Sequence, residues 1–180
     1  MVLTGHAQSI ESPNRQLNLT FHVDNGIPYY SLLYKGKIII EKSRLGFEMK
    51  NIPSMVDNFS ILKSSTSAFD ETWEPVWGEV KKIRNQYNEL EITLEQGSPK
   101  RTVIIRFRLY DDGLGFRYEF PNQKNLSYFT IAEEITQFNL GKDYTAFWIR
   151  GDYDTNEYNY TTSLLSEVSH QIDAATEEIS

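Results

Sequence analysis

From Gln16 to Val23 apolar and polar positions alternate: Leu17, Leu19, Phe21 and Val23 against Asn18, Thr20 and His22. A period of two is the pleat of a half-buried strand. Ile27 to Tyr34 continues as its antiparallel partner across Asp24-Asn25-Gly26, because Asn-Gly tolerates the positive φ of a tight hairpin turn. Lys35-Gly36 offers a second turn into Lys37 to Glu41. Ser43 to Met49 reads as a weaker strand, with Leu45, Phe47 and Met49 on one face. Asn51 to Asn58, containing Pro53, reads as a loop, and Ile61 to Ser67 as an irregular strand. Glu79 to Arg84 and Tyr87 to Glu95 suggest a pair turning at Asn85-Gln86, with Leu90, Ile92 and Leu94 sharing a face. Gln96-Gly97-Ser98-Pro99 is turn chemistry. The clearest strand is Arg101 to Tyr110, where Val103, Ile105, Phe107 and Leu109 oppose Thr102, Ile104, Arg106, Arg108 and Tyr110. Asp111-Asp112-Gly113 then turns the chain into Gly115 to Phe120, and Pro121 to Asn125 is a loop. Tyr128 to Glu134 and Thr145 to Arg150 complete the strands. Ser166 to Ile179 is the single helix candidate, with Val168, Ile172, Ala175 and Ile179 at helical spacing.

Short strands separated by turn signals, each with one apolar face, predict an all-β fold of antiparallel sheets packed as a sandwich. No alternation of strand and helix appears, which argues against a parallel, doubly wound sheet. At 180 residues the chain is long enough for one domain with a real core. Its 39% hydrophobic and 24% charged content is that of an ordinary globular protein. A net charge of −7 without a basic stripe makes a nucleic-acid partner a poor fit, since phosphate contacts need positive charge. With no cysteine there is neither a disulfide framework nor a thiolate metal site. No apolar run approaches the length of a membrane span. Met1 to Ala7 has small residues, Gly5 and Ala7, placed as at the end of a secretory signal, without the charged region and most of the apolar region before them. The organisation predicted is therefore a leader remnant or disordered start over 1–8, a sandwich over 9–165, and a polar, helical tail over 166–180.

Candidate chemistry is sparse. There is no phosphate-cradling glycine loop, no His-Glu-x-x-His and no nucleophile elbow. His6, His22 and His170 provide no good triad candidate, and His22 alternates outward as a surface residue. Two acidic-aromatic clusters remain. In Phe69-Asp70-Glu71-Thr72-Trp73-Glu74-Pro75-Val76-Trp77-Gly78-Glu79, Pro75 rules out a helical stripe. The tryptophans are then a sugar platform or a plug for the end of the sandwich, and core energetics favour the plug. In Trp148-Ile149-Arg150-Gly151-Asp152-Tyr153-Asp154-Thr155-Asn156-Glu157-Tyr158-Asn159-Tyr160-Thr161, three acids sit among four aromatics. Carboxylates are hard oxygen ligands or proton-transfer groups, and aromatic faces suit the apolar faces of sugars. The spacing of a calcium-binding EF-hand loop is absent, so a solvated acidic loop is the reading the residues favour by themselves. No pair of carboxylates is marked by spacing as a glycosidase pair.

The first of these clusters, with Ile83-Arg84-Asn85, Tyr87-Asn88-Glu89-Leu90, Arg106-Phe107-Arg108-Leu109, Asp112-Gly113-Leu114-Gly115-Phe116-Arg117-Tyr118-Glu119-Phe120-Pro121, and Phe147-Trp148-Ile149 with Gly151-Asp152-Tyr153-Asp154-Thr155-Asn156-Glu157-Tyr158, resembles the N-terminal domain of glycoside hydrolase family 97. The likeness runs from about Ser9 to Val168 and is greatest to the Bacteroides-type α-glucosidases. The resemblance implies a large sandwich packing on a catalytic (β/α)8 barrel that carries the catalytic carboxylates, none of which lies in this chain. It implies that the motif Tyr153-Asp154-Thr155-Asn156-Glu157 lends one ligand, Glu157, to an active-site calcium, with Asp152 and Asp154 left to shape the loop. It implies an α-glucoside or α-galactoside substrate, an exported or periplasmic bacterial enzyme, and no activity from these residues alone. The segment between Met49 and Ser67 is short for the family. The chain also stops where the family sandwich would continue, so a fragment with an open sheet edge is expected. A free-standing carbohydrate-binding module is the competing expectation.

Overall fold

The computed structural model describes residues 7–154 and 157–177. The leader expected over 1–8 lies mostly outside them, and Gln8 already belongs to a strand. The architecture is all-β and antiparallel, with one α-helix among the described residues. Two compact units divide the chain, one ending at Asn139 and one beginning at Leu140.

The first unit holds two four-stranded sheets. Strands β1 (Gln8–Glu11), β2 (Leu17–Asp24), β3 (Ile27–Tyr34) and β4 (Lys37–Arg44) form one meander. After the short β5 (Phe47–Met49), strands β6 (Phe59–Trp73), β7 (Ile83–Gln96), β8 (Arg101–Leu109) and β9 (Leu114–Glu119) form the second. The turns are those the sequence encodes. Asn25 and Gly26 have φ of 50° and 79°, and Lys35 and Gly36 of 51° and 75°, so both hairpins bend through two consecutive left-handed residues. At Gly26 a side chain is excluded as well, since a Cβ there would lie 2.9 Å from the Asn58 amide nitrogen.

Period-two alternation places the core. Along β8 buried and half-buried residues alternate without a break, and Val103, Ile105, Phe107 and Leu109 face Leu19, Phe21, Tyr30 and Leu32 of the opposite sheet in one hydrophobic cluster. Phe107 is the centre of this packing. Its ring lies 6.0 Å from Phe21, 6.0 Å from Tyr30 and 5.5 Å from Phe116, all in tilted contacts that aromatic quadrupoles favour. Tyr30 is fully buried, but its hydroxyl donates to the Gln137 carbonyl at 2.8 Å, and burial pushes its pKa up to about 12.

Three sequence expectations need correcting. The predicted strand from Ser43 to Met49 is broken: β4 ends at Arg44, and β5 leaves to pair with β10 (Ile131–Glu134). Gly46 makes that break, with φ of 152° and a Cβ position only 2.8 Å from the Met55 carbonyl oxygen. Asn85-Gln86 is no turn, because both residues lie inside the continuous β7 and pair with Glu71 and Asp70 of β6. The real turn lies in residues 74–82, where Pro75 and Gly78 interrupt the ladder. Nor do the tryptophans there plug the sandwich. Trp73 and Trp77 are 46% and 88% exposed, on a β6–β7 hairpin that runs on beyond the other strands.

The second unit comprises β11 (Thr145–Trp148), β12 (Thr161–Leu164) and α1 (Val168–Glu177). The strands pair antiparallel from Thr145↔Leu164 to Trp148↔Thr161. Asp143 ties the end of this hairpin to the turn before the helix, accepting from the Ser166 amide at 3.0 Å and the Ser166 hydroxyl at 2.7 Å.

Phe107→Ala is expected to cost about 3–5 kcal/mol in urea unfolding, the range for truncating a buried aromatic. Trp77→Ser in the same chain should change stability by only about 0.5 kcal/mol, as surface substitutions do. Comparable losses for the two would restore the plug.

Candidate functional site

The acids singled out in the sequence lie in the loop of residues 149–160 that joins β11 to β12. A well-paired hairpin base carries it. Trp148 donates from Nε1 to the Ser163 hydroxyl at 3.1 Å, and Ser163 is buried. Within the loop Asp152 does structural work. Its Oδ1 accepts from the Asp154 amide at 2.8 Å, an Asx turn, and its Oδ2 accepts from the Tyr158 hydroxyl at 2.5 Å. The guanidinium of Arg150 lies 4.1 Å from the centre of the Tyr158 ring, a cation–π contact that braces the same residue from another side. Asp152 thus links the early and late parts of the loop. Asp154 and Glu157 are exposed on it, as is Tyr153. Thr155 and Asn156, the middle of the motif, lie outside the described residues.

No group of three acidic or histidine side chains converges as a metal cage among the described residues. Calcium takes about 6–8 oxygen ligands. Glu157 therefore fits the chemistry of one ligand, a hard oxygen on an exposed loop.

The first unit carries a charged cluster that the sequence reading missed. On the outer face of the β7–β8–β9 sheet, Glu89 bonds Arg106 at 2.9 Å and Arg108 at 2.7 Å. Arg106 also reaches Glu91 at 2.6 Å and Glu119 at 2.8 Å, and Glu119 holds Arg117 at 2.6 Å. The register explains it: Glu89 stands opposite Arg108, Glu91 opposite Arg106, and Arg106 opposite Arg117. The like-charged Arg106 and Arg117 are reconciled by Glu119 between them. The signal was in the sequence, as charges at alternate positions of two adjacent strands, but it needed the register to become a network. Glu89 is buried, which by itself would raise its pKa, yet the hydrogen bonds from Arg108 and Arg106 prevail and hold it below the usual carboxylate range. Burial and the bonds from Arg106 and Arg117 act in the same opposed way on Glu119, again with a net lowering. Carboxylates held ionised by arginines are unsuited to donate protons, so the cluster is structural. The broad polar groove between β1 and β6, about 720 Å³, has one carboxylate in its lining, Glu11. A glycosidase pair needs two.

Fold and site together define a class of domain: an all-β, antiparallel sandwich-like domain with a braced acidic loop. Residues 10–177 match the family profile described as glycosyl-hydrolase 97 N-terminal. The chain belongs to glycoside hydrolase family 97, as its N-terminal domain. Among solved structures it is similar to a family 97 enzyme from Pseudoalteromonas sp. strain K8 in complex with panose, at 32% identity and a TM-score of 0.82, over 87% of this chain and 24% of that one. The same enzyme in complex with acarbose gives the same values. A β-arabinopyranosidase aligns at 27% identity with a TM-score of 0.76, over 86% of this chain and 26% of that one. The chain thus spans about a quarter of the length of the solved enzymes it matches.

Because Glu89 is held below its unfolded pKa, it contributes stability that is present above about pH 4.3 and lost as the pH falls through its lower folded value. Glu89→Gln should destabilise the chain by roughly 2 kcal/mol or more at pH 7, by leaving Arg106 and Arg108 short of a partner. It should also flatten the loss of stability as the pH falls below about 4.3. Equal acid sensitivity in urea titrations of the two proteins would contradict this role.

Proposed function

We propose that this chain is the N-terminal sandwich of an exported family 97 enzyme of the α-glucosidase type, packing on a catalytic (β/α)8 barrel and lending Glu157 to an active-site calcium. The observation that carries the reading is the match of residues 10–177 to the family's N-terminal domain, by a chain spanning about a quarter of the enzymes it resembles. The panose and acarbose complexes of the Pseudoalteromonas enzyme support an α-glucoside as substrate. The alternative of an α-galactoside-type substrate is kept open by the similarity to a β-arabinopyranosidase.

In this reading the chain's own residues position rather than react. Asp152, Tyr158 and Arg150 stiffen the loop, and Glu157 presents a carboxylate from it. Calcium, when bound, supplies positive charge for sugar oxygens, and its remaining ligands come from the barrel. The sandwich core fixes the domain that faces the barrel. The acid and base are barrel carboxylates, so these 180 residues have no means of cleaving a glycosidic bond.

A free-standing carbohydrate-binding module is the second reading, favoured by the exposure of Trp77 and Tyr153. Titration of the chain with a malto-oligosaccharide separates the two, since heat of binding with matching fluorescence change supports a module.

Turnover of an aryl α-glucoside should be undetectable with the 180-residue chain and clear with the full-length enzyme. Glu157→Gln in the full-length enzyme should lower kcat/KM by at least tenfold and weaken calcium binding. Turnover by the chain alone, abolished by that substitution, would overturn the proposal.

A further inference from the structure

The β6–β7 hairpin outlasts its sheet. β8 stops pairing with β7 at Leu109↔Asn88, whereas β6 and β7 continue from Phe69↔Tyr87 to Trp73↔Ile83 and close through residues 74–82. Five residue pairs at about 3.4 Å per step make a two-stranded arm of roughly 14 Å, before the turn is added. Its root is braced on both faces. On one, Phe69 stacks on Tyr87 at 5.2 Å, and Arg108 covers Tyr87 at 4.4 Å. On the other, Arg84 grips Asp70 through two bonds of 2.9 and 2.6 Å.

Past the root the arm exposes large hydrophobic side chains among its charged ones. Val76 is 101% exposed, Trp77 88%, Val80 56%, Trp73 46% and Ile83 37%. Isolated exposed hydrophobics are ordinary, but five within eleven residues at the end of a projecting ribbon are not. An isolated two-stranded hairpin is marginally stable in water, so a ribbon of this kind needs a surface to lie against. Two ion pairs lie within the arm, Asp70 with Arg84 and Glu74 with Lys82 at 3.9 Å. The exposed apolar side chains have no such partners within it.

We propose that the arm is the clamp by which this domain holds the catalytic domain of its own enzyme, with Trp73, Val76, Trp77 and Val80 buried in an apolar recess of that domain. This rests on reading the chain as one domain of a longer enzyme, and adds which surface makes the contact. Two observations select this occupant. In the solved relatives about three quarters of the chain lies outside the matched region, so a large surface is tethered to the domain at high effective concentration, and a second copy would have to compete with it. The tip also mixes tryptophan with valine and isoleucine. β-Branched aliphatic side chains neither stack on a pyranose nor hydrogen-bond its hydroxyls, but they fill recesses between packed protein elements. A sugar platform would require the tryptophans without the valines.

Hydrogen exchange on unmodified protein tests this without relying on a variant that folds. Amides of residues 69–87 are compared in the 180-residue chain and in full-length enzyme with confirmed glycosidase turnover. The arm is expected to exchange at least tenfold more slowly in the full-length enzyme, independently of protein concentration, while the β7–β8 core amides match. Equal exchange in the active full-length enzyme would overturn the proposal. So would protection of the isolated chain that grows with its concentration, which would mark a second copy as the occupant, or that appears with added panose, which would mark a sugar. Failure of the functional reading shows separately, as a full-length enzyme without turnover.

Discussion

The contact on which the first unit depends is the packing of Phe107 between two sheets. Its ring meets Phe21 and Tyr30 from the opposite meander and Phe116 from its own sheet, and Tyr30 in turn lies 5.7 Å from Phe116. A sandwich has no other way to define the spacing and angle of its layers than the side chains between them. Because β7, β8 and β9 are placed by this layer, so is everything on their outer face. The Glu89–Arg106–Arg108 network and the stack of Phe69, Tyr87 and Arg108 are consequences of that placement. They in turn hold the root of the arm. One buried aromatic cluster thus sets the direction in which an exposed one projects.

The inner faces were legible in the sequence because period two is a local property. Leu17, Leu19 and Phe21, or Val103, Ile105, Phe107 and Leu109, declare their face within a single strand, and Asn25-Gly26 and Lys35-Gly36 declare their turns. The misreadings share one physical cause, which is that strand length and pairing are tertiary. Nothing within 79–95 shows that β6 extends to Trp73 and carries β7 through Asn85-Gln86 without a turn. Core energetics argued for burying Trp77, but burial needs a core within reach, and the hairpin carries this residue past the last strand that could provide one. Gly46, a break between two sheets, looked like a continuous strand because Leu45, Phe47 and Met49 are all buried, though two sheets share them.

The acidic loop was legible in a different way. Composition marked its three acids as equals, and geometry separates them. Asp152 spends both carboxylate oxygens on the loop itself, whereas Asp154 and Glu157 face outward. Glu157 is assigned as a metal ligand by family resemblance and by no spacing rule; a site shared between domains, as proposed here, would leave only part of its ligand set in either. The division of labour proposed here follows: a rigid sandwich, a braced loop offering a single hard ligand, and an apolar arm, each incomplete without the rest of the enzyme.

Calcium titration calorimetry of the 180-residue chain beside the full-length enzyme tests that incompleteness most directly. The account predicts saturable binding in the full-length enzyme, weakened at least tenfold by Glu157→Gln, and in the chain alone binding no tighter than about 1 mM, the weak end of protein calcium sites. Micromolar binding by the chain alone would contradict it, since a complete calcium site would then lie within these residues.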